Sequence, residues 1–357
     1  MSHTKRIYNL QKKLLKWYRK NRRNLPWRET KNPYFIWVSE IMLQQTRVDT
    51  AIPYYKRFLK TFPTIHDLAK ASEHDVLKQW QGLGYYRRAK LIHKAAKEVS
   101  VRYNGKLPAT RSELQTLPGF GPYTSGAVAS IAFNECAPAV DGNVKRVLSR
   151  IFATKESIEP IALEAAQVDS PSDWTQSLME LGALMCTPKN PKCLICPVKQ
   201  NCMAFETQTV EKYPAKIKKS AAKKIYARTW MIQNSKNQIL IQQRPEVGRW
   251  SNMWEFPTEE FEKKSTELKS KSLSFLKGPF ENLGKFKHLL THRTIHVEVI
   301  QTTLCKTIKL SQHQKWVASD QLIEFPISKM QQKAFELLSR NQNFVRISDI
   351  GYQISDI

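Results

Sequence analysis

Four of the six cysteines stand as Cys186-x6-Cys193-x2-Cys196-x5-Cys202, inside seventeen residues. Zinc sites more often join two close pairs across a longer spacer, so four thiolates in one short loop favour an iron–sulfur cluster. Disulfides need an oxidising compartment, of which the sequence gives no sign. Lys189, Lys192 and Lys199 lie in this loop and would face phosphate once a metal orders it. Cys136 and Cys305 fit no pattern and are expected to be buried thiols. A second chemical signal is Leu117-Pro-Gly-Phe-Gly-Pro-Tyr-Thr124. Gly119 and Gly121 allow a tight turn and a close approach to a ligand, and the helix that follows would offer N–H groups and its positive dipole end to phosphate. On local sequence an ordinary helical hairpin is the competing reading. Carboxylates supply the third. Glu40 sits among Ile36, Trp37, Ile41, Met42 and Leu43, where burial would keep its proton near neutral pH, although an exposed helix acid is the plain alternative. Asp141 precedes a helix expected over 144–151, which by itself suggests a turn or cap.

These groups need a scaffold. Up to about residue 205 the pattern is helical, with start signals at Ser72, at the Thr110/Glu113 capping box and at Ser172, and with helices expected over 111–117 and 122–133. Ile7, Leu10, Leu14, Trp17 and Tyr18 recur at helical spacing, so the basic N-terminus is a docked amphipathic helix rather than a transit peptide. Residues 207–225 are basic and read as a linker. Beyond it, 227–233 and 238–244 flank a hairpin turn, 294–299 alternate, and a helix is expected over 328–338, so the last third is α+β.

The 357 residues carry 57 Lys plus Arg against 31 Asp plus Glu, a net charge of +26. Residues 1–225 hold 38 of the basic and 18 of the acidic side chains. Such an excess attracts polyanions, which makes nucleic acid the leading partner. No apolar run approaches the ~18 residues of a membrane span, and no signal peptide is visible, so a cytoplasmic protein is expected.

The glycine turn, with Asp141 some twenty residues downstream in Ala139-Val-Asp-Gly-Asn-Val144, resembles the DNA-binding hairpin of the helix-hairpin-helix glycosylase superfamily. The cysteine loop is similar to that of endonuclease III and of the MutY adenine glycosylases. Pro26-Trp27-Arg28, Trp37-Val-Ser-Glu-Ile-Met-Leu-Gln-Gln-Thr46, Gly82-Leu-Gly-Tyr-Tyr86 and Met179-Glu-Leu-Gly-Ala183 point to the latter. The resemblance implies a mainly α glycosylase domain (1–206) with the hairpin at about 111–133 and a 4Fe–4S loop at 186–202. A linker (207–225) and an α+β Nudix-like domain (226–357) would follow, the latter with its best local match at 250–257 (WSNMWEFP).

For the site, the resemblance implies that Glu40 protonates the adenine and helps activate water, while Asp141 stays ionised and stabilises the sugar cation. Two carboxylates with split roles are what cleavage toward an oxocarbenium ion asks for. Asn143 would cap the helix and touch the site. Tyr123 occupies the position where bifunctional relatives carry the Schiff-base lysine; a phenol forms no imine, so base removal without strand cleavage is expected. Arg23, Leu25, Trp27, Arg28, Val48 and Glu180 correspond to the adenine-pocket wall. Gln45 and Tyr85 match the wedge residues that open the stack when the base flips, and Tyr86 reads as a core aromatic. The family's Phe-Ser-His lesion loop is sought at Phe286-Lys287-His288, where Lys replaces the hydroxyl. The stretch after Glu255 lacks the Arg-Glu-x-x-Glu-Glu helix, so pyrophosphatase activity is not expected.

The expected protein is a monomeric bacterial adenine DNA glycosylase at the nucleoid, acting on duplex DNA with adenine opposite 8-oxoguanine or guanine. The rivals are an endonuclease III-like glycosylase/lyase and a non-catalytic damage sensor; the presence of both Glu40 and Asp141 argues against the sensor.

Overall fold

The computed structural model describes residues 2–215, 222–264, 273, 275–304 and 307–341. Two compact units emerge, residues 1–71 with 88–218, and residues 72–87 with 219–357. The helices run in order α1 (His3–Asn21), α2 (Pro33–Leu43), α3 (Val48–Thr61), α4 (Ile65–Lys70), α5 (Glu73–Trp80), α6 (Arg87–Arg102), α7 (Arg111–Leu114), α8 (Pro122–Phe133), α9 (Gly142–Ile151), α10 (Glu159–Ala165), α11 (Pro171–Leu184) and α12 (Met203–Glu206).

In the first unit, Ser2 caps α1, whose Ile7, Leu10, Leu14 and Tyr18 are buried at three- and four-residue spacing. Ile7, Leu10 and Leu14 pack with Val144, Val147, Leu148 and Ile151 of α9 and with Trp174, Leu178 and Leu181 of α11. α2 is apolar on every side, and a helix of that kind belongs inside. Asn32 caps it, Pro33 starts it, and it packs between α3 and α8. α7 is a single turn, shorter than the expected 111–117, because the chain already bends at Thr116 toward the glycine turn. α11 begins at Pro171 behind Ser170, two residues ahead of the start expected from Ser172. The stretch 207–215 holds a short 3-10 turn at Val210–Lys212, and Arg150 Nε donates to Tyr213 O at 3.1 Å. It is therefore docked to the helical unit and not a free linker. Cys136 is half-buried against Val168 O, and Cys305 lies outside the described residues.

In the second unit, seven strands among the described residues form one mixed sheet. They are β1 (Lys223–Asn234), β2 (Ile239–Gln243), β3 (Trp254–Glu255), β4 (Thr258–Phe261), β5 (Glu281–Leu290), β6 (Arg293–Leu304) and β7 (Gln314–Val317), ordered β3-β2-β1-β6-β5, with β4 also on β1 and β7 on β2. β1 and β6 run parallel with Ala227 beside Val297, whereas the β1–β2 and β5–β6 pairs are antiparallel. Ile225, Ala227, Ile295, Val297 and Val299 face Met330, Ala334, Phe335 and Leu338 of α13 (Lys329–Asn341). The opposite face carries a smaller core of Trp230, Ile232, Leu240, Ile300 and Leu304. β1 starts at Lys223, inside the stretch expected to be linker. Residues 72–87 also group with this unit: Asn252 Nδ2 donates to Glu73 Oε1 at 2.7 Å, and His74 Nε2 lies 2.9 Å from Glu324 O. Sequence continuity with the helices on either side hides that association.

Candidate active site

Glu40 lies on α2, only 4% exposed. Its Oε2 accepts a 2.6 Å hydrogen bond from the Tyr123 hydroxyl at the start of α8. Burial pushes the Glu40 carboxyl up from 4.5 to about 7, and the negative charge of Asp141 adds to this; the Tyr123 bond and Arg28 pull the other way and lose. Tyr123 stays a protonated donor, because burial and the nearby Glu40 and Asp141 carboxylates lift its pKa well above the usual phenol value. Asp141 is the N-cap of α9: Oδ1 accepts from Val144 N at 2.7 Å and Oδ2 from Asn143 Nδ2 at 2.9 Å. Asn143 is thus not the cap, as expected from the sequence, but the residue that orients it. An extended backbone at 141 aims the aspartate side chain back at its own helix N-terminus, and Asn143 stands one residue inside the helix. Glu40, Tyr123, Asp141 and Asn143 line one cavity of about 170 Å³.

The other wall is a charged clamp. Glu180 of α11 is fully buried and takes Arg23 N, Nε and Nη2 at 2.9, 3.0 and 2.7 Å, with Arg28 Nη1 and Nη2 at 3.1 and 3.0 Å. Burial alone would raise its pKa, but the two guanidiniums win and hold the carboxyl down at about 2. A buried carboxylate survives only when paired and hydrogen-bonded in this way. Leu25, Trp27 and Val48 line the same cavity, and Trp27 is also packed edge-on against Tyr55 at 5.4 Å. Gln176 and Met179 line it too and were not expected. The signal for Gln176 was available: it stands one turn before Glu180 on the same helix face.

Arg88 was also missed. Only 7% exposed, it reaches the end of α2, where Nη1 donates to the carbonyls of Ile41, Met42 and Gln44 at 2.8, 2.8 and 2.5 Å, and Nη2 to Thr46 Oγ1 at 3.2 Å. A cation there satisfies orphan carbonyls and complements the negative end of the helix dipole. The next residue, Gln45, is exposed with φ +59°. Tyr85, the other expected wedge, has φ +50°, while Tyr86 is buried. Gln45 and Tyr85 both take the left-handed conformation, as do eight other non-glycine residues among those described. In the glycine turn, Gly119 has φ +81° and a Cβ there would meet Leu91 at 2.9 Å, whereas Gly121 faces open space. No side chain caps α8, whose first-turn N–H groups follow directly after Gly121.

The four loop cysteines share a small cavity with Arg150, Val147 and Leu181. Among the described residues no three Cys, His, Asp or Glu side chains converge closely enough to hold one metal ion. Four thiols lining one cavity could each take one iron of a multi-iron cluster. Arg146 ties this loop to the site: Nε donates to Cys186 O at 2.7 Å, and Nη2 to Gly182 O and Asn143 Oδ1, both at 2.9 Å.

Comparison with known proteins agrees with this geometry. Residues 38–168 match the HhH-GPD superfamily of base excision DNA repair proteins, 186–202 the iron–sulfur binding domain of endonuclease III, and 228–337 the NUDIX domain. The adenine DNA glycosylase of Buchnera aphidicola (subsp. Schizaphis graminum) is 37% identical, over 84% of this chain and 88% of that protein. The Arabidopsis thaliana adenine DNA glycosylase is 36% identical, over 82% of this chain and 57% of its own length. This chain belongs to the adenine DNA glycosylase family. Among solved structures, a thermostable thymine-DNA glycosylase (28% identity, TM-score 0.54) covers 57% of this chain, with 98% of its own length matched. A non-covalent endonuclease III–DNA complex (23% identity, TM-score 0.50) covers 58%, with 99% matched, and shares the fold.

In this adenine DNA glycosylase family member the cysteine loop is the site of a 4Fe–4S cluster. Burial pushes the Cys196 and Cys202 thiols up to about 12 and about 11, so these sulfurs ionise only against a cationic iron core. Lys199 is exposed and its Nζ donates to Leu194 O at 2.7 Å, and Leu194 and Ile195 are exposed in the same loop. In the NUDIX-matching unit, Phe286, Lys287 and His288 lie within β5 and not in a loop. Phe286 packs on the core and His288 meets Trp250 edge-on at 5.9 Å, while Lys287 projects to the opposite face. The hairpin turn carries Thr291 instead, its Oγ1 2.9 Å from the Tyr85 hydroxyl. Leu290-Thr-His292, at this turn, has the order apolar–hydroxyl–His. Among the described residues no helix is long and apolar enough to cross a membrane.

Proposed function

We infer that this chain hydrolyses the N-glycosidic bond of adenine in duplex DNA, opposite 8-oxoguanine or guanine, and leaves an abasic site. The observation that carries the reading is the cavity in which a protonated Glu40 and the capped Asp141 stand together. In this reading the flipped adenine enters between the Arg23–Glu180–Arg28 clamp and Glu40. Glu40 passes its proton to the ring, and as the bond lengthens the Asp141 carboxylate offsets positive charge on the sugar. With adenine gone, the Glu40 carboxylate accepts a proton from the attacking water. The Tyr123 hydroxyl bond favours that carboxylate and keeps the side chain aimed. Gln45 and Tyr85 fill the space left in the stack, and Thr291 takes the hydroxyl contact to the lesion strand that Lys287 lacks. The cluster loop and the Gly119–Gly121 turn hold backbone phosphates. The reading includes a monomer working at the bacterial nucleoid.

None of the described residues lining the cavity is a lysine, which favours hydrolysis over the lyase alternative. The test is single-turnover adenine release from duplexes that differ only in the base opposite adenine. It is run with and without hot alkali, with borohydride trapping in parallel. Strand breaks that appear only after alkali, no trapped complex, and the fastest release opposite 8-oxoguanine are expected. Efficient trapping would overturn the assignment.

A further inference from the structure

The face of the sheet turned away from α13 carries, beside its small apolar core, an open groove of about 660 Å³ that adenine removal does not use. Tyr226 of β1 and His296 of β6 are register partners there, their rings 5.2 Å apart and tilted by 31°. Lys285 and Lys287 of β5 stand opposite Glu298 and His296, and both lysines are exposed. The floor is an ion pair. Arg228, 2% exposed, donates through Nε and Nη2 to Glu298 Oε2 at 3.2 and 3.0 Å, and Lys285 Nζ lies 3.0 Å from Glu298 Oε1. Glu298 is the one carboxylate among the described lining residues, against Arg228, Lys264, Lys285 and Lys287. Its charge is already shared by Arg228 and Lys285, so the groove presents surplus positive charge beside a flat aromatic platform.

Those two features select for one ligand chemistry. A small anion would use the lysines and leave the rings bare, and an acidic peptide brings carboxylates without a flat π-face. A nucleotide brings both, since a base stacks on aromatic side chains whatever its sequence and a phosphate takes Lys ammoniums. We propose that this groove is a second nucleotide-binding site, with a base against Tyr226 and His296 and its phosphate on Lys285 and Lys287. It gives Lys287 a use on the face opposite Phe286 and His288. It stands independently of adenine removal, because all of its residues lie in the second unit and the catalytic cavity lies in the first.

The experiment uses the full chain carrying Glu40→Gln, saturated with a duplex containing an adenine mispair so that the catalytic cavity is filled. Two probes are titrated, 2-aminopurine deoxyriboside 5′-monophosphate and a ten-nucleotide single strand with a central 2-aminopurine, with fluorescence quenching as the readout of stacking. Quenching is expected with at least one probe. Lys285→Glu should weaken it by roughly fivefold or more and lower the salt dependence for the strand by about one phosphate contact. Tyr226→Leu should abolish the quenching. With Glu40 restored, Lys285→Glu should release adenine within twofold of the wild-type rate. Variant-sensitive quenching of the strand alone assigns the site to DNA, and the same response from the mononucleotide assigns it to free nucleotides. Binding of both probes that neither variant changes, in proteins whose melting curves match the parent, overturns the proposal. So does displacement of the strand by an acidic ten-residue peptide at equal concentration.

Discussion

Glu40→Gln removes the one proton on which the proposed chemistry turns, and the structure sets the size of the effect. A carboxyl with a folded pKa of about 7 and an unfolded value near 4.5 binds more protons in the native state between those two pH values. Stability therefore falls as pH rises through that window. The contribution is fully present below about pH 4.5 and lost above about 7, and the gap corresponds to about 3 kcal/mol. Gln keeps the shape and can still accept from Tyr123, but it has nothing to ionise. The difference in unfolding free energy between wild type and Glu40→Gln should therefore shift toward the variant by about 2.5 kcal/mol between pH 5 and 8. Taking that difference removes the titration of every other group. Denaturant melts at several pH values measure it. In single-turnover assays the wild-type rate should fall above about pH 7, while the variant loses roughly 10²- to 10⁴-fold. A stability difference that stays constant with pH, or a variant that releases adenine at the wild-type rate, would refute the reasoning.

Asp141→Asn should keep the α9 cap, since Asn caps as well as Asp, so melting should change little while adenine release falls by roughly a hundredfold or more. Tyr123→Phe deletes the hydrogen bond that lowers the Glu40 pKa, so the alkaline limb of the pH–rate profile should move to higher pH. Arg88→Ala strands three carbonyls at the end of α2; a loss of about 3 kcal/mol or more is expected in melts, together with weaker base flipping reported by 2-aminopurine in the duplex, and Arg88→Lys should restore part of both. Cys196→Ala should cost the visible cluster absorbance and lower the melting temperature of the helical unit, as should chemical removal of the iron.

Residue type and spacing along the chain already revealed the cluster loop, the glycine turn, the two carboxylates and the switch from helical to alternating patterning. Each is local: Cys spacing, a Gly that must take a positive φ, an apolar run around one Glu. What escaped that reading depends on partners distant in sequence. The signal for Arg88 is one Arg in a basic helix, and its meaning comes from carbonyls more than forty residues away. Asn143 looked like a cap until the backbone at 141 showed which side chain faces the helix N-terminus. Phe286-Lys287-His288 was read as a loop, because only strand register shows that 286–288 lie inside β5 and that the turn comes after Leu290. Residues 72–87 join the second unit through bonds that no local pattern records.

From the amino-acid order alone came the inventory: a proton donor in apolar company, an anion before a helix, a phenol where an amine would make a lyase, and four sulfurs for iron. Folding decided their states. Glu40 holds its proton because tertiary packing removes water from around it, whereas Glu180, buried still more completely, is ionised because two arginines converge on it from more than 150 residues away. Desolvation and pairing act through space, so two like carboxyls acquire opposite charge states that their neighbours in sequence do not determine.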